Sequence, residues 1–335
     1  MSLNPLNIRT KFDSLDSRTK RLIGAAGMIL VIFVIGEIVL VNYFGFANWS
    51  FFSIGKFLVT TKLAAIIALF GLCQMIVIAG GNFGFDLSVI SNATLSAIIT
   101  TLVMDGSNAN ILPAVLVAIA LGAAIGAVNG LLAAYLNLPA LIATMGMSYI
   151  LQGIINAYST NMSIGGDPSP AVIQLAAKTT GSFPNIIFLM IILVVVMWLL
   201  ISKSKIGTIL LSVGANDAAA RLCGINVKKV RWLTYFFSGI TAALVGIILV
   251  GNLGTPYKTM AADKMILSVV SVVVGGISIK GGEANYLGVF LGAIVLQSVS
   301  DLFVTFGWSE GARWLGYGII LFGILSLYVR SIRSR

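Results

Sequence analysis

The 335-residue chain is 58% apolar and 10% charged, with a mean hydropathy of +1.02; this excludes an ordinary soluble domain, because apolar runs of roughly 20 residues, enough to span a bilayer as helix, recur along it. Its formal net charge of +10 sits mostly at the two ends and in one internal segment, which argues against a nucleic-acid partner and for cytoplasmic anchors under the positive-inside rule. A β-barrel is excluded as well, since stretches such as Ile66 to Ala79 and Ile186 to Ile201 do not alternate over segments of about 10 residues as barrel strands do.

The expected fold is therefore all-α: a polytopic integral membrane protein of about ten transmembrane helices, with both termini in the cytoplasm. Arg9, Lys11, Arg18, Lys20 and Arg21 precede the first span. This start is too polar, and the span after it too long, for a cleaved signal peptide, so the N-terminus is expected to stay in the protein. Predicted spans lie at 22–41, 58–79, 87–104, 112–134, 139–158, 185–202, 231–252, 265–280, 286–304 and 313–330. The loop at 80–86 is short enough for 58–104 to form one interrupted hairpin, and counts of nine or eleven spans stay open.

With the N-terminus inside, fifteen of the 21 Lys and Arg residues fall on the cytoplasmic side; only Lys56, Lys62, Lys178, Lys258, Lys264 and Arg313 fall outside. That bias supports the orientation. The domain reading is a basic segment at 1–21, one transmembrane domain at 22–330 containing a cytoplasmic loop at 203–230, and a tail at 331–335.

Along the chain, Gly80-Gly81-Asn82-Phe83-Gly84-Phe85 closes an apolar run with three glycines in five positions and should break the helix. Broken helices in membranes are tolerated where backbone lines a cavity or is buried in protein. Asp86 follows, with Ser88 two residues on. Two compatible roles are open for this carboxylate: a functional intramembrane acid, or a cap that accepts the free amides of a helix starting near Leu87. Gly122, Gly126 and Gly130 repeat at four-residue spacing, as do Gly288 and Gly292, which predicts close helix packing rather than chemistry. The external stretch from Ser159 to Pro184 contains Pro168 and Pro170 and reads as extended surface loop, with a ligand- or partner-facing role as the alternative. Glu37 and Asp301 lie near span ends and read as interfacial.

The most unusual stretch is Gly214 to Arg231, a polar and basic island between spans. Asn216 to Leu222 is alanine-rich and helix-compatible, Gly224 can end the helix in a left-handed conformation, and Lys228, Lys229 and Arg231 meet the membrane face. A short surface helix is expected, either as an ordinary positive-inside loop or as a contact for a cytoplasmic protein.

Enzymatic chemistry finds little support. The sequence has no histidine, no Gly-x-Ser-x-Gly elbow and no Gly-x4-Gly-Lys-Ser/Thr phosphate loop. Cys73 and Cys223 offer neither a disulfide framework nor metal-ligand spacing.

Several stretches in one order resemble a known family: Asp86 to Val89, Gly126 to Gly130, Leu138 to Gly146, Val213 to Val227 and Val273 to Gly282. Together they are similar to the permease subunits of bacterial ATP-binding-cassette importers for simple sugars, the ribose, galactose, xylose and autoinducer-2 group. Branched-chain amino acid permeases fit less well, because Asp86-Leu-Ser88 and Ala219-Ala-Arg-Leu-Cys-Gly224 are of the sugar type.

The resemblance implies a multi-pass subunit of the bacterial cytoplasmic membrane that pairs with a second copy or a paralogue, binds cytoplasmic P-loop ATPase subunits and receives sugar from an extracytoplasmic binding protein. ATP and Mg would be bound by the ATPase, with no cofactor in this chain. Gly214, Asn216, Ala219, Ala220, Arg221 and Gly224 would form the coupling helix, with Arg221 as its polar anchor. Asn82, Phe85, Asp86, Ser88 and Thr144 would lie near the translocation pathway. The chain departs from the family's Gly-Gly-Ile-Asp-Leu-Ser pattern, because Asn82-Phe-Gly-Phe85 separates Gly81 from Asp86. This keeps a polyol or nucleoside open as substrate, and an ion-coupled carrier or channel, or a purely structural membrane subunit, open as other classes.

Overall fold

The computed structural model describes residues 17–44, 53–159, 164–309 and 311–319. The chain is almost wholly helical: α1 (Ser17–Phe44), α2 (Ile54–Ala79), α3 (Val89–Met104), α4 (Ile111–Gly130), α5 (Ala140–Ser159), α6 (Pro170–Ala176), α7 (Asn185–Ser202), α8 (Lys205–Ala215), α9 (Asp217–Leu222), α10 (Val227–Leu253), α11 (Lys264–Val274) and α12 (Tyr286–Thr305). A two-residue β-hairpin, β1 (Thr179–Thr180) with β2 (Phe183–Pro184), leads into α7.

Among the described residues six helices are long and apolar enough to cross a membrane: α2, α4 with its flanking turns (Asn108–Tyr135), α5, α7, α10 and α12. The predicted span 265–280 shrinks to the 11 residues of α11, because Gly275 caps the helix and Gly276 turns to φ +85°. The predicted span 87–104 begins at Val89. Most of the predicted span 313–330 lies outside the described residues, of which 311–319 are helical.

The centre of the bundle is α2, with 83% of its apolar window buried, against 28% for α7. Apolar side chains on α7 therefore face outward, as expected of a lipid-contacting helix. The packing follows a repeated plan. α2, a break, the short α3 and then α4 correspond to α10, a break, the short α11 and then α12. In each half the last helix lies along the first helix of the other half, α4 on α10 and α12 on α2, while α3 packs on α10 and α11 on α2.

The glycine stripes set these approaches. Gly126 of α4 faces Tyr235 and Phe236 of α10, where an added methyl would meet Phe236 Cα at 2.9 Å; Gly292 of α12 faces Ser271 and Gly275 of the α11 end, with Gly275 N at 2.9 Å. Backbone contact of this kind replaces the hydrophobic driving force that lipid cannot supply.

From Pro170 on, the stretch expected to lie outside holds regular structure that its prolines do not predict. Ser169 caps α6 by accepting from Val172 N at 3.4 Å, with Pro170 at the first helical position, where its missing amide costs nothing. α6 then packs against α10.

Candidate functional site

The break after α2 turns sharply. Gly81, Asn82 and Phe83 all have positive φ, at +79°, +58° and +50°. For the two non-glycine residues this conformation is uncommon and requires support from their surroundings.

That support converges on Asp86, which is wholly buried. Its Oδ1 accepts from Ser88 N at 3.0 Å, Ser88 Oγ at 2.6 Å and Asn129 Nδ2 at 3.4 Å, and its Oδ2 accepts from Ser238 Oγ at 3.0 Å. The main chain is fixed as firmly. Gln74 Nε2 donates to Asp86 O at 2.8 Å, and Gln74 Oε1 accepts from Asp86 N at 3.3 Å. One residue on, Thr144 Oγ1 accepts from Leu87 N at 3.1 Å. Five helices thus meet at one segment: α2 through Gln74, α3 through Ser88 at its cap, α4 through Asn129, α5 through Thr144 and α10 through Ser238. A buried carboxylate is tolerated when donors of this kind replace its water.

The capping and functional readings of Asp86 can now be compared with geometry. Asp86 does accept an amide ahead of α3, but from Ser88, and the cap position itself belongs to Ser88. Gln74, Asn129 and Ser238 are further members that residue-by-residue reading misses. Asn129 has a signal, since it lies inside the stretch Gly126 to Gly130, while Gln74 and Ser238 sit on otherwise apolar helices and become visible only in three dimensions.

Asn82 and Phe85 part company with Asp86. Asn82 is exposed and lines a cavity of about 140 Å³ together with Asn137, Arg221, Lys228 and Arg231. Adjacency in sequence places it with the buried acid; the positive-φ turn instead sends it to the island's side. Phe85 is partly buried against the main apolar core.

The loop at 203–230 holds two helices, where one is expected. α8 is capped by Ser204, whose Oγ accepts from Gly207 N at 3.2 Å, and α9 by Asn216, whose Oδ1 accepts from Ala219 N at 3.0 Å. Ala220 is buried with Val213 and Val227, whereas Ala219 and Arg221 are exposed and Leu222 is 90% exposed. Gly224 ends the segment at φ +77°.

Arg221, expected as the polar anchor of the coupling helix, is exposed on α9, 3.9 Å from Asp217. Within the chain α9 is tied down by Arg231, which pairs with Asp217 Oδ1 at 2.5 Å and donates through Nε to Gly80 O at 3.3 Å. Helix geometry separates the two cations: Arg221 lies on the outward face of α9, free to meet a partner, and Arg231, the fifth residue of α10, lies beneath it.

Gly214 joins this unit to the bundle. A methyl there would fall inside contact distance of Ala79 O and Gly282 N, and Gly282 N itself donates to Ala79 O at 3.1 Å. Gly81 packs on Gly214 from the other side. The end of α8, the break after α2 and the loop before α12 therefore meet backbone to backbone.

Asp301 is also corrected. It is 7% exposed rather than interfacial, accepts from Thr60 Oγ1 at 2.5 Å and Gln297 Nε2 at 2.9 Å, and pairs with Lys56 at 3.3 Å. No group of three or more His, Cys, Asp or Glu able to hold a metal occurs among the described residues.

Comparison with known proteins adds the following. Residues 22–327 match a family model described as "Branched-chain amino acid transport system / permease component". The ribose import permease protein of Escherichia coli K12 is 29% identical over 309 residues, covering 90% of this chain and 89% of the relative. The autoinducer 2 import system permease protein of Enterobacter sp. strain 638 is 30% identical, covering 84% and 80%. The galactose/methyl galactoside import permease protein of Escherichia coli K12 is 30% identical, covering 75% and 78%. No solved structure matches the chain.

Proposed function

The chain belongs to this family of transport-system permease components, and from that premise we propose that it is the membrane-spanning subunit of an ATP-driven importer for a simple sugar. It is a multi-pass permease of the cytoplasmic membrane. The observation that carries the sugar reading is the naming of its relatives, ribose, autoinducer 2 and galactose permeases aligned over 75–90% of this chain. Sugar would arrive from an extracytoplasmic binding protein, and a separate cytoplasmic P-loop ATPase would supply the energy with its own ATP and Mg. A second permease, identical or paralogous, would complete the pathway.

In this reading α9 docks on the ATPase, with Leu222 and Arg221 outermost and Ala219 between them and the capped end at Asn216. Motion of α9 passes through Arg231 and Gly214 to the break after α2, whose far side is fixed by Asp86, Ser88 and Thr144. Those three residues then act as a framework that holds the broken segment beside the pathway, with Phe85 toward the core and Asn82 toward the island. The short helices α3 and α11 complete the crossings together with α1 and the helix from 311, giving ten spans and both termini inside.

The test is purification of the tagged permease from its host in mild detergent, with identification of co-purifying proteins, beside [14C]-sugar uptake in cells. Recovery of a P-loop ATPase that Arg221→Glu removes, together with uptake of ribose or a related sugar, supports the reading. A permease that transports alone, driven by an ion gradient, would replace it with a secondary carrier.

A further inference from the structure

A cavity of about 620 Å³ opens at the end of the bundle opposite α9. Its walls come from the Leu63 end of α2, the Leu253 end of α10, the start of α11, the Gln297 to Ser300 turn of α12 and the helix at 311–319. Its volume lies within the roughly 300–1,000 Å³ typical of small-molecule sites.

Three properties of the lining define what would fit. Tyr257 and Trp314 are 43% and 41% exposed and stand at the cavity, offering flat aromatic faces of the kind that cover C–H surfaces. Asn252 presents both donor and acceptor atoms, and Gln297, whose Nε2 is held by Asp301, presents its carbonyl oxygen. Arg313 contributes a buried Nε that has no hydrogen-bond partner. An unpaired buried guanidinium N–H is costly, so a turn of the Arg313 side chain toward a ligand acceptor in the cavity would be rewarded. Asp263 is already neutralised by Lys264 at 2.5 Å.

A lipid chain would leave these polar groups unpaired, and a simple anion would leave the aromatic faces and the acceptor atoms unused. Hydroxyl groups both donate and accept, and a sugar ring has apolar C–H faces. We propose that this cavity is a transient binding site for a monosaccharide-sized polyhydroxylated solute, held by Trp314 and Tyr257 on its faces and by Arg313, Asn252 and Gln297 at its hydroxyls. The inference rests on the importer reading for the statement that solute enters at this end; the chemistry of the site is read from its lining.

The test uses the full chain in lipid nanodiscs with D-ribose, D-galactose and D-fructose as probes and L-leucine as the counter-probe, read by saturation-transfer NMR. Transfer to at least one sugar is expected, weakened about tenfold in Trp314→Ala and in Arg313→Gln, the loss that one good contact to a charged or aromatic group carries. A Ser300→Cys variant in a Cys223→Ser background gives a second readout that does not depend on either substitution folding well: the bound sugar slows thiol labelling. Absence of transfer to all three sugars, equal transfer in the variants, or transfer to leucine alone overturns the site. Uptake measured in parallel with the ATPase and binding protein separates the two readings. Wild-type uptake that neither variant alters leaves the importer standing without this site, whereas failure of uptake with sugar binding intact removes the importer and leaves the cavity.

Discussion

Arg231 reaches from the second turn of α10 to Asp217 on α9, with 2.5 Å between Nη2 and Oδ1, while its Nε donates to Gly80 O. One side chain therefore ties the island to the break after α2. The guanidinium suits this place because its forked donors serve two acceptors at once. Arg231→Lys keeps the charge and loses the fork.

We expect Arg231→Lys to keep expression near wild type and to reduce ATP-driven uptake severalfold, with Arg231→Ala reducing it further. A double-mutant cycle of Arg231→Ala with Asp217→Ala on thermal stability should give a coupling of about 1 kcal/mol, the upper end for pairs as open to water as this one. A coupling of zero would show that the contact does not hold the island.

Gly214 and Gly224 separate space from conformation. At Gly214 a methyl has no room between Ala79 and Gly282, whereas at Gly224 the space is open and only the φ of +77° resists substitution. Gly214→Ala should cost about 1–3 kcal/mol by overpacking, and Gly224→Ala about 1 kcal/mol from backbone preference. Detergent-solubilised melting curves would rank the two; the opposite order would refute the glycine junction.

Asp86 yields a contrast between a truncation and an isostere. Asp86→Ala strands the donors of Ser88, Ser238 and Asn129 in a buried site, with an expected loss of about 3 kcal/mol or more. Asp86→Asn keeps the shape and one acceptor oxygen, so it should melt closer to wild type. If uptake is lost equally in both while only the alanine variant is unstable, the carboxylate contributes to transport as well as to the framework.

Much of this architecture is legible in one dimension, and its failures have physical causes. Apolar runs locate α2, α4, α5, α7, α10 and α12 because each must cover a bilayer's thickness with its own residues. α8 is missed because 11 residues starting at Lys205 do not fill such a window. Asn216 and Gly224 are readable as helix punctuation, since capping is local. Asn82 faces the island and not Asp86, because the chain turns through positive φ at Asn82 itself and at Phe83. Gly214 is visible as a glycine, but its neighbours Ala79 and Gly282 are distant in sequence, and nothing local announces them.

Asp301 shows the same limit and supports the last prediction. Its place near the end of α12 suggests contact with water, yet Thr60, Gln297 and Lys56 enclose it. Lys56→Met would remove the cation and leave a carboxylate that is 7% exposed with hydroxyl and amide donors alone. Removing one partner of a fully buried pair costs about 3–5 kcal/mol; Lys56 is about a third exposed, so water screens the pair and a smaller loss of about 2 kcal/mol is expected. Asp301→Asn added to Lys56→Met should recover most of it, because the amide no longer needs a counter-charge. Melting temperatures of the two single variants and the double variant give the answer directly. Additive losses would mean that Lys56 and Asp301 stabilise the α2 and α12 contact independently, and the pairing of charge across those helices would then be incidental.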